Sequence, residues 1–146
     1  TLDQVEARDK LRIVSDAGAR LPIYCTSQGK VFLAHMPRAQ AEKLLRRQSM
    51  TQFPPHTITD VSALLREVDA CRTNGFAIEN GEYKIGLRSV SAPVYTVEGK
   101  AAYAVGVIGM FRSPHSEEFH AAVEQVCVTA SMISTALGYR KQEETL

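Results

Sequence analysis

The residues best equipped for chemistry in this 146-residue chain are three cysteines, four histidines and two neighbouring glutamates. Cys25, Cys71 and Cys127 are odd in number and far apart, with no C-x-x-C pair to make a zinc ribbon or a redox dithiol. Cys71 and Cys127 fall on apolar stripes of predicted helices, where burial accounts for them. Cys25 just precedes a predicted helix start, where a thiol can be acidified, so a small cysteine-dependent enzyme is one reading of the chain. His35, His56, His115 and His120 make no H-x-x-x-H pair. Metalloprotease, nucleophile-elbow, P-loop and dinucleotide-binding patterns are also missing from the sequence. Glu79 and Glu82 flank a turn at Asn80-Gly81, a place where acids are common for reasons of solvation. No catalytic residue, cofactor or metal site is predicted.

Binding has more support. In Thr26-Ser27-Gln28-Gly29-Lys30-Val31-Phe32-Leu33-Ala34, Thr26 or Ser27 can cap a short helix. The free amides and positive dipole end of such a helix favour a carboxylate or a phosphate. Farther on, Ala101 to Gly109 reads as a strand, apolar on both faces and so central and covered on both sides. One of its faces carries Ala102, Ala104, Gly106 and Ile108. Small residues there can leave room for an organic acid beside the sheet, or can serve close packing at Gly106.

Several elements must hold these segments in place. Val5 with Ala7, and Leu11 to Val14, read as two opening strands, and Leu21 to Tyr24 as a short extended segment. After the capped helix, Pro37 opens a second through Arg47, with Ala41, Leu44 and Leu45 as its apolar face. Thr59 or Asp60 caps a third, whose Val61, Leu64, Leu65, Val68 and Cys71 keep helical spacing until Asn74-Gly75. Strands follow at Phe76 to Glu79 and Ser89 to Tyr95, the second with Val90, Ala92 and Val94 on one face and Ser89 and Ser91 on the other. A long helix from Ser113-Pro114 to about Tyr139 presents Phe119, Val123, Val126, Ala130, Ile133 and Leu137. Helices grouped between sets of strands predict an α+β fold with a largely antiparallel sheet.

Composition narrows the function. With 17 basic and 16 acidic residues the net charge is +1, and acids and bases are interleaved. A free-standing DNA-binding domain would carry a basic stripe. The densest basic cluster, Lys43 with Arg46 and Arg47, sits at a helix end, where cations complement the dipole. The apolar runs fall short of the roughly 18 residues of a membrane span. Scattered cysteines fit a reducing cytoplasm. The start, Thr1-Leu2-Asp3-Gln4, lacks an initiator Met and resembles no leader, so a fragment of a longer protein is expected.

Three stretches, Leu21-Pro22 through Ala34, Gly75 to Glu82 with Gly86 to Val94, and Ala102 to Gly109, resemble the effector-binding domain of the IclR family of bacterial transcription regulators in order and spacing. The resemblance covers nearly the whole chain and implies one effector-binding domain over residues 1–146. The implied fold is α+β and GAF- or profilin-like, with helices around a curved, largely antiparallel sheet. It further implies a small organic acid effector, no enzymatic activity, and a homo-oligomer, dimer or tetramer. DNA would be contacted only through a winged helix-turn-helix domain outside this chain.

Carried over by position, the implied effector-binding residues are Ser27 and Gln28, whose amides would receive a carboxylate, then Glu79, Ser89, Gly106 and Ile108. Members that bind very small keto acids have serines where this chain has Gly106 and Ile108. An acid that is larger or more apolar, such as an aromatic carboxylate, is therefore expected. Gln28, long for a helix start, either narrows the pocket or donates to the ligand. Some members hold zinc in this cavity, which would need converging ligands. Cys25 and Glu79 are conceivable here, but no metal is predicted. The alternatives are a dimerisation module whose pocket is filled by side chains, and the cysteine-dependent enzyme.

Overall fold

The computed structural model describes residues 1–6, 8, 13, 17–53 and 56–140. Helices α1 (Ser27–Ala34), α2 (Arg38–Arg47) and α3 (Val61–Asn74) come first. Strands β1 (Ala77–Asn80), β2 (Arg88–Tyr95) and β3 (Ala101–Gly109) follow, and helix α4 (Glu117–Ala136) ends the series. The strands form one antiparallel sheet in the order β1-β2-β3. This is the expected α+β architecture.

Local signals set the helix ends. Asp60 caps α3 by accepting from the Ala63 amide at 2.6 Å, and Gly75 closes it in the left-handed region at φ 79°. Ser116 caps α4 through the Phe119 amide. The helix thus starts three residues later than Ser113-Pro114 would place it, and it stops at Ala136. Pro37 sits just outside α2 as its cap residue, with an extended ψ of 133°.

The sheet lies between two cores, because β2 is buried along nearly its whole length. On one side Val90, Ala92 and Val94 pack against Phe119, Val126 and Ala130 of α4. On the other, Ala77 and Ala104 meet Val31, Leu33 and Ala34 of α1, backed by Leu45, Leu64, Leu65 and Val68. A Cβ on Gly29 would collide with the Ile23 backbone, so glycine lets that segment run close against α1. The far ends of α1 and β2 are also tied. His35 Nε2 lies 2.8 Å from the Tyr95 hydroxyl, and the Tyr95 amide donates to Ser134 Oγ of α4 at 2.9 Å.

Several expectations need correction. β3 is an edge strand among the described residues, half-exposed on both faces, and β2 takes the central place. Both α1 and α4 centre on β2, so β3 projects past their cover. On α2, Ala41 and Leu45 are buried while Leu44 is 38% exposed, because four residues bring a helix back to the same face and three leave it on the flank. On α4, Ile133 and Leu137 stay partly exposed, and the buried stripe continues from Ala130 to Ser134, the next four-residue step. Residues 1–6 contain no strand and Val5 is exposed, while Leu21 to Tyr24 bends without pairing. Ala7 and, apart from Ile13, the Leu11 to Val14 segment lie outside the described residues.

Phe119 is fully buried and meets Phe111 edge-on at 5.0 Å between ring centroids. Phe119→Ala should lower the unfolding free energy by about 3–5 kcal/mol in a urea titration. A loss under about 1 kcal/mol would mean that α4 is seated by other contacts.

Candidate functional site

Two adjacent hydroxyls take separate roles at the start of α1. Thr26 is extended (φ −128°, ψ 146°), and its Oγ1 accepts from the Gly29 amide at 3.2 Å while donating to the Pro22 carbonyl at 2.8 Å. Thr26 is thus the cap. Ser27, relieved of that role, is fully buried and points at β2, with its Oγ 2.8 Å from Ser89 Oγ and 2.7 Å from Ser91 Oγ. Gln28 Oε1 lies 3.4 Å from the same hydroxyl.

Strand geometry explains the convergence. Ser89 and Ser91 are two residues apart, so both face α1. Directly opposite Ser89 stand Glu79 on β1 and Ile108 on β3; opposite Ser91 stand Ala77 and Gly106. Ser89 donates to Glu79 Oε2 at 3.2 Å, and Glu79 Oε1 accepts from the Glu82 and Tyr83 amides at 2.6 and 3.2 Å. Glu79 is 2% exposed. Burial pushes its carboxyl above the usual carboxylate range, the two amides and Ser89 pull it back, and the nearby Glu82 charge adds to the rise.

All six predicted residues fall in or beside this cluster. Ser27, Ser89 and Glu79 are linked in one hydrogen-bonded chain, and Gln28 touches its end. Gly106 backs Ser91, and a Cβ there would collide with Ser91 Oγ and the Val90 carbonyl oxygen. Its smallness thus serves close packing against β2. Ile108 stands at the rim, 42% exposed.

Three residues escaped the sequence reading. Ser91 was legible, since period-two alternation puts it on the face of Ser89. Lys30 is 1% exposed, and its Nζ donates to Glu82 Oε1 at 2.7 Å, to the Ile78 carbonyl at 3.0 Å and to Glu67 Oε2 at 3.5 Å. The signal for it was a lysine three residues after Ser27, hence on the same helix face. Glu82, placed at the turn for solvation, is buried in this ion pair instead. A cleft of about 290 Å³ adjoins the pair, lined by His56, Ile58, Glu67, Ile78, Asn80 and Glu82. None of the six predicted residues lines it.

Cys25 is fully buried, and burial first, then the Glu82 and Glu79 carboxylates, pushes its thiol up to about 12. A thiol so disfavoured as thiolate is a poor nucleophile at neutral pH. Among the described residues no group of three or more His, Cys, Asp or Glu side chains is placed to hold a metal ion. No described helix is long and apolar enough to cross a membrane.

The site is thus a buried helix amino end facing a serine-lined strand, on an α+β frame. The chain is a member of the bacterial IclR family: the pattern described as "Bacterial transcriptional regulator IclR C-terminal", the family's effector-binding domain, matches residues 1–135. Among its relatives, the HTH-type transcriptional repressor AllR of Klebsiella pneumoniae is 29% identical over 143 residues, covering 98% of this chain and 53% of the relative. The HTH-type transcriptional regulator BhcR of Paracoccus denitrificans is 28% identical, covering 96% and 50%. The solved Thermotoga maritima IclR structure superposes with a TM-score of 0.85 at 30% identity, covering 94% of this chain and 56% of that one. The chain therefore spans about half the length of the curated relatives it matches.

Two outcomes follow from the buried charges. Lys30→Met should cost about 3–5 kcal/mol in chemical denaturation at pH 7, because it strands the Glu82 carboxylate, and Lys30→Met/Glu82→Leu should recover most of that loss. Equal loss in the single and double variants would contradict the pairing. At pH 8, iodoacetamide should label Cys25 only as the chain unfolds; native labelling at the rate of a free thiol would contradict its burial.

Proposed function

We propose that this domain senses a small organic carboxylate and, in the full-length regulator, couples its binding to DNA binding by an N-terminal winged helix-turn-helix domain. The observation that carries this reading is the convergence of Ser27, at the amino end of α1, with Ser89, Ser91 and Glu79 at hydrogen-bonding distance. The effector site comprises Ser27, Gln28, Glu79, Ser89, Gly106 and Ile108, with Ser91 added. The carboxylate is received by the Ser27 and Gln28 amides, which come before the first hydrogen bonds of α1. Hydroxyls missing from β3 are offered by β2, so the floor is polar while Ile108 gives an apolar rim. This pairing favours an acid with one apolar end, such as an aromatic carboxylate.

The domain binds its effector without turning it over, needs no cofactor and acts in the cytoplasm as a homodimer or homotetramer. The apolar side chains left outside on α4, Val128, Met132 and Ile133, with Leu137 at its cap, support self-association.

A thermal-shift screen against aromatic, dicarboxylic and short keto acids tests the reading. An acid at 100 times its dissociation constant adds about 2.7 kcal/mol, or roughly 5–10 °C for a domain of this size. Ser27→Ala should diminish the shift. If no acid at millimolar concentration moves the melting point, the domain is not a carboxylate sensor. Tighter binding of glyoxylate than of benzoate would overturn the preference for an apolar end.

A further inference from the structure

The serine cluster has a fixed number of protons to donate, and counting them limits what it can bind. Each hydroxyl carries one donor and two acceptor sites. When Glu79 is ionised, Ser89 spends its proton on Glu79 Oε2 at 3.2 Å. Ser89 Oγ is then an acceptor toward Ser27 at 2.8 Å, and Ser27 in turn accepts from Ser91 at 2.7 Å. All three hydroxyl protons then run toward Glu79, and none of them points at an incoming anion. A carboxylate seated on the amides at the start of α1 would meet lone pairs at the Ser27 hydroxyl, with the charge of Glu79 two hydroxyls away. When Glu79 is protonated the chain reverses. Glu79 donates to Ser89, Ser89 to Ser27, and the Ser27 proton is released from Ser89, to be taken by Gln28 Oε1 at 3.4 Å or by a ligand in its place.

We infer that a carboxylate effector enters this site together with one proton, taken from solvent and held on Glu79 Oε2, with Ser89 and Ser27 relaying the change in hydrogen-bond direction. This rests on the proposed carboxylate-sensing reading and adds the ionic form in which the site binds. One O–H bond forms on Glu79 Oε2 as a hydronium ion or buffer acid in solvent gives up its proton; the serine hydroxyls only rotate, and the ligand anion stays ionised. The inference also gives Glu79 and Ser89 distinct parts, as proton holder and relay.

The surroundings permit the uptake. Around Glu79 stand Glu82 and Tyr83 in the segment after β1, Lys30 from α1, and Cys25 just ahead of α1. Glu67 of α3 reaches Lys30, and His56 lines the cleft beside Glu82. The Lys30 charge is engaged by Glu82 at 2.7 Å, and Cys25 stays a neutral thiol. Among the described residues no cation acts on Glu79 to hold it ionised, and its burial already favours the proton. For a carboxyl whose proton is required for binding, affinity is full below its pKa and falls about tenfold per pH unit above it.

The experiment measures the concentration dependence of the thermal shift with sodium benzoate and sodium glyoxylate between pH 5.5 and 8.5, in the native chain and two variants. In the native chain the apparent dissociation constant should weaken toward high pH. Glu79→Gln keeps an oxygen for the Glu82 and Tyr83 amides and adds a permanent donor toward Ser89. It should bind at pH 8.5 as tightly as at pH 5.5, and tighter there than the native chain. Ser89→Ala cuts the relay and should flatten the pH dependence while leaving Glu79 in place. Native binding that is independent of pH, or a Glu79→Gln variant that keeps the native slope, overturns the inference and leaves the sensor reading standing. No shift in any of the three proteins, with either acid at any pH, overturns the sensor reading and the inference together.

Discussion

Lys30 holds this structure in register. Its ammonium group leaves water almost completely and meets Glu82 after β1, the Ile78 carbonyl within β1, and Glu67 on α3. A lone buried charge is costly, so α1 can approach β1 only where all these acceptors converge. That requirement fixes both the rotation and the depth of α1. Ser27, three residues earlier on the same helical face, is thereby aimed at Ser89 and Ser91. A hydrophobic interface would tolerate sliding by a fraction of a turn. An ion pair with three acceptors does not, and the serine cluster inherits its precision.

The division between Thr26 and Ser27 follows from the same placement. Backbone amides at a helix start need an acceptor, and Thr26 supplies it while anchoring itself to Pro22. The next hydroxyl is then free to serve the interior. Together the two residues join a helix cap and a buried polar contact to β2 within one turn of helix.

Much of this was legible in the chain, for physical reasons that also mark the limits. Asp60 and Gly75 bound α3 because capping and left-handed closure depend on neighbours a few residues away. Ser89 and Ser91 share a face because the strand period is two. Other features depend on what lies across the gap. Nothing in the apolar run of β3 tells whether helices extend over it, and its edge position was missed. On α4 the interior chose Ser134 over the more apolar Ile133, because contact with β2 advances in four-residue steps and the Tyr95 amide needed an acceptor. Glu82 read as a solvated turn acid because its partner is 52 residues away in the sequence. The site was legible mainly through family resemblance, which supplied Glu79, Gly106 and Ile108; the buried lysine that sets their geometry was not.

Helix α1 is also secured at its opposite end, where His35 reaches Tyr95 and Tyr95 leans on Ser134. Eight residues of α-helix make a strut of about 12 Å, stiff along its axis because each turn is braced to the next. Both ends of this strut bear on β2, near Ser89 at one end and Tyr95 at the other. A push on the first end has no slack to take it up and emerges at the second, beside α4. The fold thus contains a short mechanical connection between its most secluded polar groups and the longest of its described helices.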